Sequence, residues 1–153
     1  MASSETDDKN ALQQYLMRLL TRREYSRHEL LGKCEQKGFD EALSVEVLEL
    51  FRDNNWQSDE RFAETYFRNR LNRGYGPLRI RQDMRIKGLE EDLITEQMAG
   101  VNDWQPLIEE LWKKKFNRKA ENDREKARQF RYLAQRGFYQ QDIYQIINRR
   151  NHD

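Results

Sequence analysis

The chain has 153 residues, 36% of them charged, and 28 Lys and Arg nearly cancel 27 Asp and Glu to leave a formal charge of +1. A single cysteine, Cys34, excludes an intramolecular disulfide framework and a Cys-rich zinc site, and no apolar run approaches the ~20 residues of a membrane span. The first ten residues are polar and acidic, without the cationic start and apolar stretch of a secretory signal, so a cytoplasmic, reduced protein without membrane contact is expected.

Residues 1–9 read as a flexible acidic segment. Leu12, Leu16, Leu19 and Leu20 then recur at helical spacing. Ser26 with Glu29 makes a capping-box pattern that starts a second helix, and Gly38 supplies a left-handed stop. Leu43, Val47, Leu48 and Phe51 form a third stripe that ends near Asn54-Asn55. Asp59 is expected to cap a helix carrying Phe62, Ala63, Tyr66, Phe67 and Leu71. Gly74-Tyr75-Gly76-Pro77 is a turn that places Pro77 at the first position of the next helix, which carries Ile80 and Met84 and stops at Gly88. A short helix with Leu93, Ile94 and Met98 runs out at Gly100. From Asp103 a stripe of Leu107, Ile108 and Leu111 follows, then helices over 123–136 and 139–149. No stretch alternates convincingly enough for a strand.

Self-comparison reveals a period of about fifty residues. Tyr25-Ser26 leads to Lys37-Gly38-Phe39, Tyr75-Gly76 leads to Lys87-Gly88-Leu89, and a weaker copy runs from Asn122-Asp123 to Arg136-Gly137-Phe138. In each copy a basic residue and glycine precede a large apolar residue. The expected fold is all-α: three tandem three-helix repeats, residues 10–56, 57–101 and 102–150, sharing cores in a short curved rod.

The neutral total hides segregated charge. Arg61, Arg68, Arg70, Arg73, Arg79, Arg81, Arg85 and Lys87 are opposed in their stretch only by Glu64 and Asp83. A second basic run holds Lys113, Lys114, Lys115, Arg118, Lys119, Arg124, Lys126, Arg128, Arg131 and Arg136, while no Lys or Arg lies from Leu89 to Trp112. The first repeat carries Glu29 and Glu35 where the second carries Arg79 and Arg85, so the fold does not demand cations there. Arg81 and Arg85 lie four apart on one face without a matching acid. That pattern points toward an external anion, nucleic-acid phosphate or an acidic protein surface, against the plainer reading of a solvated face of i,i+4 pairs.

Catalytic chemistry finds no candidate. Cys34 aligns with Met84 and Leu133 and reads as a small buried hydrophobe. His28 and His152 are the only histidines and belong to no triad or metal spacing. The glycine turn lacks the preceding strand and the Lys-Ser/Thr of a phosphate loop. Trp56, Trp104 and Trp112 lie at repeat boundaries or on apolar stripes and are expected to pack rather than to stack on bases. No enzyme activity, cofactor or metal is expected.

The segment Arg23-Glu24-Tyr25-Ser26-Arg27-His28-Glu29-Leu30, the Ser58-Asp59-Glu60-Arg61-Phe62-Ala63 box, the Arg73-Gly74-Tyr75-Gly76-Pro77 turn and the Lys87-Gly88-Leu89 stop, in this order, resemble the RecX family from about residue 12 to 150. Cys34 and Met84 stand where that family usually has leucine, and Asp59-Glu60 where it often has paired aspartates. The resemblance implies a monomeric regulator that lies in the groove of the RecA filament on single-stranded DNA and inhibits ATP hydrolysis, strand exchange and filament extension, with direct DNA contact left open. Arg68, Arg70, Arg73, Tyr75, Arg79, Arg81, Arg85 and Lys87 are the candidate contacts, with Lys114, Lys115, Arg118, Arg124, Arg128 and Arg131 as a secondary basic surface. The competing reading is an autonomous DNA-binding protein of helix-turn-helix type, although no helix shows the Arg/Asn/Gln cluster of a groove reader.

Overall fold

The computed structural model describes the backbone of residues 2–152 and the side chains of residues 6–150. Among the described residues it contains nine helices and no strand: α1 (Ala2–Arg22), α2 (Arg27–Lys37), α3 (Glu41–Asp53), α4 (Asp59–Asn72), α5 (Pro77–Ile86), α6 (Glu91–Met98), α7 (Gln105–Lys115), α8 (Asp123–Gln135) and α9 (Gln140–His152). The all-α expectation holds. The acidic leader does not, because residues 2–9 are the first turns of α1. Carboxylates suit the positive end of a helix dipole, so the composition that reads as solvated chain equally suits a helix start.

Two compact units emerge, Met1–Tyr66 with Met84–Leu93, and Phe67–Asp83 with Ile94–Asp153. Residues 57–101, one repeat by sequence period, therefore contribute to both. In the first unit α1 and α2 pack on α3 around Leu12, Leu16, Leu30, Cys34, Val47, Leu48 and Phe51, all at most 1% exposed. Burial pushes the Cys34 thiol up, partly offset by a hydrogen bond with Ser44, so it stays protonated and inert in this core. In the second unit α7 and α8 pack on α9, with Ile108, Trp112, Leu133, Phe138, Ile143 and Ile146 buried between them.

Ser26 forms the full capping box: its Oγ accepts the Glu29 amide at 3.1 Å and the Glu29 carboxylate accepts the Ser26 amide at 3.0 Å. At α4 the cap is Ser58, whose Oγ accepts the Arg61 amide at 3.2 Å. Asp59, expected in that role, is the first helical residue instead. Its carboxylate is drawn to the Arg27 amide at 2.8 Å and to the Gln57 side chain at 2.9 Å, which ties the start of α4 to the start of α2.

The recurring basic-Gly corner does more than end a helix. The Ser26 hydroxyl donates to the Lys87 carbonyl at 2.7 Å, and a Cβ on Gly88 would fall 2.3 Å from that of His28. The corner after α5 thus sits directly on the turn before α2. In the second unit the Gly76 amide donates to the Arg136 carbonyl at 2.7 Å and the Leu78 amide to the Gly137 carbonyl at 2.9 Å. Ser26 and Gly76 are equivalent in the repeat, as are Lys87 and Arg136, so one joint is used twice. The Ser26 hydroxyl serves the joint and the helix cap together. Ser26→Ala should therefore cost about 2 kcal/mol, the upper range for losing a cap, and denaturant unfolding measures it.

Candidate interaction surface

The first candidate surface centres on Tyr75. Three guanidinium groups surround its ring, Arg136 at 4.4 Å, Arg70 at 4.7 Å and Arg79 at 5.0 Å from the centroid. Arg70 and Arg79 converge on Asp83, at 2.6 and 3.2 Å, and Asp83 is only 9% exposed. Arg136 also donates to the carbonyls of Gly74 and Arg73. Cation–π contact and charge-assisted hydrogen bonding here hold the Gly74-Tyr75-Gly76 turn against the Arg136-Gly137 corner. Arg70, Tyr75 and Arg79 are thus structural members of the joint.

Lys87 is committed in a similar way: it donates to Glu29 at 3.1 Å and lies 5.8 Å from the centre of the Tyr66 ring. Glu29 also receives Arg23 at 3.0 Å. Arg85, expected to lack an acid, pairs with Glu91 at 2.5 Å. Glu91 lies six residues on, beyond the Gly88 corner, so helical spacing does not reveal the pair. Both partners are more than half exposed, and such a pair contributes little to stability. Arg68 and Arg73 are exposed and Arg81 is half-buried. The charge reversal from Glu29 to Arg79 therefore has internal partners on both sides, Lys87 for the first and Asp83 for the second, and needs no external anion.

Burial alone would raise the Glu29 carboxyl, but hydrogen bonds from Arg23, the Ser26 amide and Lys87 outweigh it and hold its pKa below the ordinary 4.5. A depressed carboxylate adds stability that is present above its unfolded pKa and is lost as pH falls through the folded value. Stability should accordingly drop on acidification below about 4.5, and Glu29→Gln should flatten that part of the curve; denaturant midpoints measured across the range check it.

The secondary basic surface is the freer one. Arg124, Arg128 and Arg131 lie on one face of α8, spaced over about 10 Å, all exposed and without a carboxylate partner among the described residues. Arg118 is exposed as well, whereas Lys114 pairs with Glu110 at 3.3 Å and Lys115 lies 5.3 Å from the Tyr132 ring centre. Beneath this row, buried Gln129 accepts from the Trp112 indole at 3.0 Å and donates to the Arg118 carbonyl at 3.2 Å. It fixes the loop that brings Arg118 toward α8. Sequence pattern gives no sign of this, since a glutamine among charges reads as surface. Trp104 and Trp112 pack as expected, Trp104 edge-on to Phe138, but Trp56 remains 46% exposed against Phe51. Among the described residues no group of His, Cys, Asp and Glu is placed to hold a metal, and no helix is long and apolar enough to cross a membrane.

The family model described as the second three-helix domain of RecX matches residues 58–98, and that of the third matches residues 105–147. The Regulatory protein RecX of Haemophilus influenzae (strain PittEE) is 39% identical over 137 residues, covering 87% of this chain and 90% of that one. The chain belongs to the RecX family. A second relative, the Regulatory protein RecX of Legionella pneumophila (strain Corby), is 41% identical over 133 residues, 86% of this chain and 89% of that one. The crystal structure of RecX from Lactobacillus salivarius matches with a TM-score of 0.79 at 19% identity, over 97% of this chain and 99% of that chain. A further crystal structure, of a regulatory protein RecX, gives a TM-score of 0.81 at 20% identity over 97% of this chain and 75% of that one. At such identity the two structures speak for the fold. The second-domain match contains the Tyr75 joint, and the third-domain match contains the arginine row of α8.

Proposed function

We propose that this RecX-family chain is a cytoplasmic, non-catalytic, monomeric regulator that binds RecA and its filament on single-stranded DNA, and that it inhibits recombinase ATP hydrolysis, strand exchange and filament extension in DNA repair and recombination. The family's regulatory name supports a binding role. The observation that carries the reading to particular residues is the exposed row Arg124, Arg128 and Arg131 on α8, which has no carboxylate partner among the described residues. Such a row costs nothing to expose and attracts phosphate or acidic protein. Arg118, Arg68 and Arg73 extend the proposed contact set within the second unit, and Arg85 is a separate candidate on the first; Arg70, Tyr75 and Arg79 shape the joint of the second unit and Lys87 that of the first. Bridging neighbouring filament subunits favours one filament state over another by the difference in affinity.

The test is DNA-stimulated ATP hydrolysis by RecA with and without the protein. Wild-type protein should suppress turnover. Reversing Arg124, Arg128 and Arg131 to glutamate should raise the concentration for half-inhibition by roughly tenfold or more, the scale expected when charged contacts are lost at an interface. All three residues are exposed, so thermal melting should be nearly unchanged. Unaltered RecA turnover in the presence of wild-type protein refutes the reading. Binding to naked and RecA-coated strands across a salt titration distinguishes direct phosphate contact, for which affinity falls by roughly one power of salt per neutralised charge.

A further inference from the structure

One concave surface of the second unit is not used by any joint. A groove of about 450 Å³ runs between α8 and α9, floored by Ala127, Phe130, Tyr144 and Ile147 and edged by Arg124 and Arg131. Phe130 and Tyr144 stack at 4.6 Å with 25° between their planes, yet Tyr144 remains 50% exposed. An aromatic pair left half-open to water on an otherwise charged helix is an unfilled apolar site. Lys126 joins the cationic edge, and Asp123 at one end is the single acid lining it among the described residues.

We infer that this groove receives an acidic, amphipathic segment of a partner protein, one apolar side chain seated on Phe130 and Tyr144 and flanking carboxylates paired with Arg124 and Arg131. The charge of the edge selects an acidic occupant, and the chemistry of the floor selects a peptide over a nucleic acid. Ala127 and Ile147 offer no donor or acceptor, so the deepest part of the groove suits an aliphatic or aromatic side chain better than the polar edge of a nucleobase. One face of the Tyr144 ring is already covered by Phe130. A leucine or phenylalanine side chain loses nothing on entering, and the two arginines, two helical turns apart, suit carboxylates on both sides of such an anchor. This inference rests on the reading of Arg124 and Arg131 as recognition residues and narrows the chemistry of what they meet.

The experiment is fluorescence anisotropy of the full chain with short labelled peptides in which glutamates flank a single Leu, Ile, Phe or Trp, competed by unlabelled oligothymidylate. At least one peptide should bind saturably, with amide shifts confined to residues 124–131 and 143–148. Ala127→Glu places a carboxylate between Arg124 and Arg131 on an exposed helical position and should weaken binding about tenfold with the melting curve unchanged. Tyr144→Ser should do the same, while Tyr144→Phe keeps the ring and the affinity. No binding by any peptide, equal binding when the glutamates are replaced by glutamine, indifference to both Ala127→Glu and Tyr144→Ser, or easier displacement by oligothymidylate than by unlabelled peptide overturns the inference. Because RecA is absent from the assay, the two readings fail separately. A chain that inhibits RecA turnover but ignores these peptides loses this inference alone, and one that binds them without affecting turnover loses the regulatory reading alone.

Discussion

Gly76→Ala is expected to destabilise the protein by about 3 kcal/mol, a loss of roughly 6–12 °C in melting temperature for a chain of this size. The added Cβ would lie 2.6 Å from the Gly137 carbonyl carbon and oxygen and 2.6 Å from the Phe138 nitrogen. Those atoms are backbone and cannot rotate away as a side-chain tip would, so the turn must retreat from the corner. Retreat breaks the Gly76–Arg136 and Leu78–Gly137 hydrogen bonds and pulls Tyr75 from its three arginines. Gly38→Ala is the control. Gly38 also ends a helix, at φ 83°, but a Cβ there meets no atom within 4 Å. Only the left-handed backbone penalty of about 1 kcal/mol applies. Thermal melting followed by circular dichroism separates the two, and equal losses would show that close approach at Gly76 is not what matters.

Asp83→Ala should cost about 3 kcal/mol, because it strips the shared acid from two cations and leaves one of them largely enclosed. The Arg70 side chain is 17% exposed and meets Asp83 at 2.6 Å, so its charge loses this carboxylate with little water to replace it. Arg79, 43% exposed, can turn outward and loses far less. An apolar exchange of the buried pair, Arg70→Met with Asp83→Leu, should recover most of the loss, as expected when a buried ion pair is replaced by hydrocarbon of similar volume. Urea unfolding of the single and double variants gives the comparison. A double variant as unstable as Asp83→Ala would mean that the Tyr75 ring needs the Arg70 guanidinium itself.

Local signals were the legible ones. The Ser26–Glu29 box, the glycine stop at 38, Pro77 at a helix start and the apolar stripes are all set by short-range spacing, and the structure has each of them. Failures arose where a residue answers to something distant in sequence. Asp59 has the residue type of a cap, but Ser58 beside it takes that role, and the Asp59 carboxylate goes to Arg27, 32 residues away. Arg85 looked unmatched because its acid lies past a corner. Charge and motif position point first to the Arg70–Lys87 stretch, but they do not show how much of its charge is already engaged: much of it goes to Asp83, Glu29 and the Tyr75 ring, while the arginines of α8 keep their charge outward. The fifty-residue period was visible, but its purpose was not, since nothing in Lys-Gly-Leu or Arg-Gly-Phe announces that the corner docks on the repeat before it.

The path of the chain between the two compact units carries a final consequence. It changes unit after Tyr66, again after Asp83 and again after Leu93, so neither unit is a continuous stretch of polypeptide. No single cut separates the two cleanly: a fragment ending before residue 84 lacks the strip that covers Ser26, and one beginning after residue 83 lacks the turn that seats Arg136. A protease nick between residues 83 and 84 injures both halves at once, and the two pieces would have to exchange two segments, 67–83 and 84–93, to be made whole.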